Sequence, residues 1–304
     1  MFMKNPALLG TGRARGGVRW GSLIGAGVVF LASAWLSPSL PAVEPPLILG
    51  VFPRYNAVDT VRMFSPMAEH LSRRLKREVR IETTKDFESF WKGVLEQRYD
   101  VVHYNQLHYI RSHRQAGYEV ILKNEEFGAS TIAAVIVARK DRGIRSLQDL
   151  KGKKIAFGGD KTAMMAYIQP TLLLREAGLR EQDYVEDFAK NPPNALMAAY
   201  YKQADAAGVG DVVSRMPVVT QQIDIAQMTV LATGTPIAHL PWAVKKGMPV
   251  RQRREIQSAL ADLKNSAAGR EILKNAQFTG LVVATDDEYD PHRRILREIL
   301  GEQD

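Results

Sequence analysis

Short apolar runs alternate with stretches of helical spacing along most of this chain, and that alternation narrows the folds open to it. LILGVFP (47–53) is an apolar run closed by Gly and Pro signals and predicts a buried strand. VRMFSPMAEHLSRRLK (61–76) repeats apolar residues at helical spacing, and REVRIETT (77–84) alternates as a strand does. FESFWKGVLEQR (87–98) and QLHYIRSHRQAG (106–117) read as helices, with the strands YDVVHY (99–104), YEVILKN (118–124) and STIAAVIVARK (130–140) around them. A β-α-β-α-β-α-β order calls for a mostly parallel sheet flanked by helices.

A second series follows. SLQDL predicts a helical turn with Ser146 as N-cap, KKIAFG a strand, 162–177 a helix ended by Gly178, and YVEDFAK (184–190) a strand. PNALMAAYYKQ (193–203) carries Pro in its first turn, as a helix start does. ADAAGVG is a small-residue strand, DVVSRM a short helix and MTVLATG (228–234) the last strand, before two further helices and a C-terminal tail. The order predicts an α/β chain with two lobes: residues 45–138 plus 235–304 in one, and 139–234 in the other. The crossings are expected near Ala138–Asp141 and Thr233–Pro236, a layout that makes a hinged cleft.

The N-terminus adds a separate expectation. Residues 1–42 hold Lys4, Arg13, Arg15 and Arg19 and no acid, then GSLIGAGVVFLASAWL (21–36) and a tail of small residues and prolines. A basic n-region, an apolar h-region and small residues describe an export signal over 1–42, with cleavage after Ala42 and a periplasmic mature chain; an uncleaved anchor is the alternative. Setting those four bases aside leaves 37 basic against 33 acidic residues. Such a near-balance gives no nucleic-acid footprint. With no cysteine, disulfides, thiolate catalysis and Cys-ligated metals are excluded.

In open α/β sheets ligands sit beyond the carboxyl ends of strands. The turns to inspect are therefore FPRYN (52–56), TTKDF (83–87), HYNQ (103–106), GGDKTA (158–163), KNPPN (190–194) and GVGD (208–211). His103 and Tyr104 end one strand, and a metal site borrowing His103, His239 and a carboxylate for zinc, copper or nickel is one reading. Tyr55 and Phe87 offer aromatic walls, while Trp91 reads as core. Thr162 is a natural N-cap that keeps a hydroxyl near the cleft. Met164 and Met165 are adjacent, so one can face the core and the other a soft or apolar ligand. Asp211 could meet an amine or cap the next helix.

At these turns the chain resembles the periplasmic phosphonate/phosphite-binding components of ABC transporters, within the two-lobed (type II) solute-binding proteins. The resemblance runs from about Leu47 to the C-terminus. It rests on FPRYN, FSPMAEHL, KDFESFWKG, YDVVHYNQL, SLQDLKGKKIAF, PTLLLREAGL and DDEYDP at their spacings. It implies that Phe87 and Tyr104 wrap an oxyanion, with His103 where an aromatic is frequent. It further implies that amides and hydroxyls at the start of the second-lobe helix hold the phosphorus oxygens. Here that Ser-Thr-Ser-Gly run reads Ala163, Met164, Met165 and Ala166; a frequent histidine reads Pro192 or Pro193; and Gly-Asp-Pro reads His239, Leu240 and Pro241.

Charge-assisted hydrogen bonds contribute about 1.5–3 kcal/mol each, so three lost hydroxyls remove several decades of affinity. The expected function is a monomeric solute-binding protein with no cofactor. It would serve an ABC permease or a sensor kinase, with a phosphonate- or phosphite-like anion, a metal ion or a more apolar small molecule as ligand. No GxSxG, Walker run, HExxH or paired strand-end carboxylates point to an enzyme.

Overall fold

The computed structural model describes residues 44–302; the expected export signal lies outside them. In chain order the first series is β1 (Leu47–Val51), α1 (Ala57–Leu75), β2 (Val79–Glu82), α2 (Phe87–Leu95), β3 (Val101–His103), α3 (Gln106–Ala116), β4 (Glu119–Glu125), β5 (Thr131–Ile132) and β6 (Ala134–Arg139). The second is β7 (Lys154–Gly158), α4 (Gln169–Glu176), β8 (Val185–Ala189), α5 (Pro192–Tyr200), β9 (Ala206–Gly210), α6 (Pro217–Thr220) and β10 (Met228–Thr233). The chain then forms β11 (Ile237–Ala238), β12 (Pro241–Val244), α7 (Val250–Ala261), α8 (Ala267–Asn275), β13 (Gly280–Val283) and α9 (Asp290–Leu300).

Two sheets result, with strand orders β13-β4-β12-β3-β1-β2 and β10-β6-β9-β7-β8, and β5 pairs with β11 between them. Strands β1, β2 and β3 are parallel, as are β7, β8 and β9. The remaining pairs are antiparallel: both sheets are mixed, with β1–β4 in the first and β7–β10 in the second running one way and β12, β13 and β6 running against them. β6 and β12 enter from the neighbouring lobe with no preceding crossover helix to turn them parallel, and β13, after α7 and α8, runs in the direction of β12.

The expected strand 130–140 is two strands. It breaks at Ala133; β5 stays at the crossing, and β6 is hydrogen-bonded to β9 and β10 in the second sheet. Residues 134–138, expected with the first lobe, thus belong to the second sheet, and the crossing lies before Ala134 rather than after Ala138. The expected helix over 162–177 opens instead as a π-helical turn, Met164–Ile168, that runs into α4.

Alternation along the strands sends successive side chains to opposite faces. Val101 and Trp242 join the core under α1, α7 and α8, while Val102 and Ala243 join the core under α2 and α3. The second sheet has its own core, to which α9 contributes Leu296 and Ile299. Among the described residues no helix is long and apolar enough to cross a membrane.

Candidate functional site

The strand ends of both sheets meet at one cleft. Its space open to the centre of a water molecule is ≈ 80 Å³, room for on the order of five waters. The first sheet supplies Phe52, Pro53 and Arg54 after β1, Phe87 at the start of α2, Asn105 and Gln106 at the start of α3, and Leu240. The second supplies Gly158 and Gly159, the turn Ala163–Ala166, Lys190 to Pro192, and Gly210, Val212 and Val213; Ile132 joins from the crossing.

The π-helical turn carries the most distinctive geometry. Ala163 is the N-cap and has no side-chain cap bond. The first amides of a helix have no intrahelical acceptor, so those of Met164, Met165 and Ala166 are left to the cleft that these residues line. Their side chains offer thioether and methyl groups, and Met164 and Met165 also pack into the second core. Thr162 is not the cap: its amide and hydroxyl both donate to the Asp160 carboxylate, which shapes the turn.

Glycine is required where β7 meets α5. A Cβ on Gly158 would stand 2.3 Å from Pro192 Cα and 2.6 Å from its nitrogen. This close approach brings the Lys190–Pro192 turn against the Ala163–Ala166 turn as one wall. Asn191 caps α5 by accepting from the Asn194 amide at 2.9 Å. Across the cleft Asn105 caps α3, accepting from the His108 amide at 2.8 Å, while its Nδ2 donates to the Thr162 carbonyl at 3.3 Å. Asn105 therefore bridges the two walls.

Four of the ten expected site residues line the cleft: Phe87, Ala163, Met164 and Met165. Tyr104 does not. Its ring packs against Tyr109 and Tyr118 in the core, and its hydroxyl lies 2.7 Å from Ser112 Oγ. His103 is buried too, stacked on Trp242 with centroids 4.5 Å apart, its Nδ1 donating to the Pro241 carbonyl at 3.1 Å. Burial, ahead of the neighbouring Arg54 charge, pushes the His103 imidazole down to about 3.

Tyr55 lies with His103 on a separate chamber of ≈ 10 Å³, and its hydroxyl donates to Gln277 at 3.1 Å. Asp211 turns its carboxylate to the Ala133 amide at 3.3 Å and is not among the residues that line the cleft. His239 is fully buried, its Nδ1 accepting from the Leu240 amide at 2.8 Å, so the proton sits on Nε2. The expected metal set of His103, His239 and a carboxylate does not converge: among the described residues no group of three His, Asp or Glu side chains could hold a metal ion.

Sequence reasoning passed over Arg54, Asn105, Gln106, Lys190 and Asn191. All five sit in turns singled out from the sequence; Arg54, Asn105 and Gln106 lie one or two places from residues chosen there, while no residue of the 190–194 turn was chosen. Arg54 Nη1 donates to Glu126 Oε1 at 2.9 Å, and Glu126 also accepts from Asn124 at 3.0 Å. Burial alone would raise the Glu126 carboxyl, but the Arg54 charge, His239 and these hydrogen bonds outweigh it and hold it at about 2. Lys190 is exposed at the mouth. No Asp or Glu is among the lining residues, so the wall presents cations, amides and apolar groups.

Residues 49–289 match the family described as the periplasmic substrate-binding protein of phosphonate ABC transporters. Among solved structures, a binding protein component of an ABC phosphonate transporter from Pseudomonas aeruginosa is similar, with 17% identity and a TM-score of 0.73 over 84% of this chain and 87% of that one. A Prochlorococcus marinus protein in complex with methylphosphonate gives 16% and 0.74, over 84% of this chain and 98% of its own. A histidine kinase sensor domain with similarity to periplasmic binding proteins gives 16% and 0.52, over 80% and 99%. The two sheets are thus the two lobes of the type II solute-binding fold, and the chain belongs to the family of periplasmic substrate-binding proteins of phosphonate ABC transporters.

Proposed function

We propose that this chain is exported, takes a small organic anion into the cleft between its lobes, and closes on it by bending at the two crossings. It acts as a monomer that binds without catalysis, and it presents the closed form to an ABC permease. The observation that carries the reading is the lining of the cleft: uncapped amides of Met164 to Ala166 on one side, Arg54 and Lys190 among the lining residues, and no acid among them. Helix N-terminal amides and nearby cations favour an anion and disfavour an ammonium or a metal cation. Ala163, Met164 and Met165 supply no hydroxyls, which weakens the case for a phosphonate dianion such as the methylphosphonate held by the Prochlorococcus relative. Their apolar groups suit a ligand with an apolar body. Closure requires contacts to both lobes, since only differential affinity shifts such an equilibrium. Phe87 and Asn105 act from the first lobe, and the 164–166 amides from the second. The similarity to a kinase sensor domain supports signalling to a membrane kinase as the second use of the same closed form.

The test is a thermal-shift panel of methylphosphonate, phosphite, sulfate, alkyl carboxylates and sulfonates, alkylamines and divalent metals. A ligand at a hundred times its Kd adds about 2.7 kcal/mol of stability, a readable rise in Tm. Shifts confined to the organic anions are expected. A shift with zinc or copper that His103→Ala removes would replace this reading with metal binding.

A further inference from the structure

Arg54 is a largely enclosed cation with most of its donors unspent. Its side chain is 15% exposed and makes one hydrogen bond, to Glu126, whose own side chain is 4% exposed. A guanidinium carries five N–H donors in a rigid fork, and among the described residues no other acceptor takes a hydrogen bond from this one. Arg54 lines the cleft, so these unspent donors are available to a ligand there. The charge count there is small. Arg54 and Lys190 are the cations of the wall, and Glu126 stands directly behind Arg54, which leaves about one net positive charge. The rest of the wall, Ile132, Met164, Met165, Val212 and Leu240, can compensate nothing.

We propose that Arg54, oriented by Glu126, is the specificity-determining residue of the cleft: the free edge of its guanidinium takes the head of a singly charged organic anion and discriminates against a doubly charged one. The proposal rests on the reading of the cleft as the solute site. A monoanion balances the wall. A dianion carries surplus negative charge past Glu126 into apolar surroundings, where an unpaired charge is strongly disfavoured.

The discriminating pair is an alkylphosphonate and its own monomethyl ester, which differ by one charge on the same phosphorus. Calorimetric titration near pH 9 would compare them with methyl, butyl and phenyl bodies, alongside the matching carboxylates and sulfonates. Wild type should bind the half-ester at least about ten-fold more tightly than the dianion. Glu126→Gln keeps a hydrogen-bond acceptor for Arg54 but removes the charge, so the ratio should fall towards one or reverse. Arg54→Met should weaken every monoanion by about ten- to hundred-fold; with Glu126→Gln added, the double variant removes the risk of a stranded buried carboxylate. A wild-type ratio near one, or one that Glu126→Gln leaves unchanged, overturns the role of Arg54 while leaving the anion site standing. If none of these anions binds wild type, the anion reading of the cleft falls and this proposal with it.

Discussion

His103, His108, His239 and His292 are each 3% exposed or less, and burial pushes their imidazoles down to about 3, 4, 4 and 3. All four are neutral at neutral pH, and each carries a stability statement whose sign is fixed. A histidine whose folded pKa lies below its unfolded value of about 6.5 stabilises the fold fully above 6.5, and that stability is lost as pH falls towards the folded value. The loss runs on the order of 1 kcal/mol per pH unit per histidine. Glu126, held at about 2, begins to lose its contribution only below about 4.5, so the histidines dominate the window between 6.5 and 4.5. Urea midpoints at pH 7.5, 6 and 5 should fall steeply, and a flat profile over that window would refute the neutral, buried assignment. The same burial explains why a histidine at a strand end misled the sequence reading. His103 and Tyr104 flank the end of β3, where alternate side chains enter the two packed faces of the sheet. Asn105 and Gln106, the next places along, lie past the last ladder pair and line the cleft. A one-residue offset separates core from site, and residue type alone does not resolve it.

At the scale of elements, the apolar runs and their Gly and Pro punctuation placed nearly every strand and helix, because burial on both faces of a sheet demands such runs. Pairing direction was not legible, since parallel and antiparallel strands share the same side-chain period. The break at Ala133 was hidden as well: IAAVIVA is apolar on both sides of it, and the switch from β5 to β6 is made by partners far along the chain. The π-helical opening of the helix before α4 is likewise a consequence of packing, with the amides of Tyr167 and Ile168 sharing the Ala163 carbonyl at 2.8 and 3.1 Å. Gly158 tests how tightly these elements are fitted. In Gly158→Ala the new methyl meets backbone of Pro192, which no rotamer change can relieve. The expected cost is about 1–3 kcal/mol, measured by urea unfolding, together with weaker binding of any cleft ligand because the Lys190–Pro192 turn is pushed from the Ala163–Ala166 turn. Stability within about 0.5 kcal/mol of wild type would mean that the two elements separate freely.

For the whole molecule, the question is how a wall built on α4 is coupled to the crossings between lobes. Gln169, 2% exposed at the start of α4, answers it with both ends of one amide. Its Oε1 accepts from the Ala134 amide at 2.6 Å, just where the outgoing crossing enters β6. Its Nε2 donates to the Thr235 carbonyl at 3.0 Å on the returning crossing. The Gly234 amide closes the triangle by donating to the Ala134 carbonyl at 2.8 Å, and Gly234 has no room for a Cβ, which would fall 2.8 Å from Gln169 Cδ. The helix whose first amides line the cleft is therefore bonded to both passages of the hinge within two turns. Arg175, further along α4, donates to the Glu298 and Ile299 carbonyls at the end of α9, a second tie between the lobes. Gln169→Leu keeps the volume and deletes both amide contacts, leaving the Ala134 N–H and the Thr235 carbonyl without these partners. A loss of about 2–4 kcal/mol is expected from two such groups, with faster hydrogen exchange at the Ala134 amide, while a core substitution of similar cost such as Leu71→Ala should leave that amide protected. If exchange at Ala134 is unchanged in Gln169→Leu, the amide bridge does not hold the crossing, and coupling between cleft and hinge must run through the packing of α4 on α9 instead.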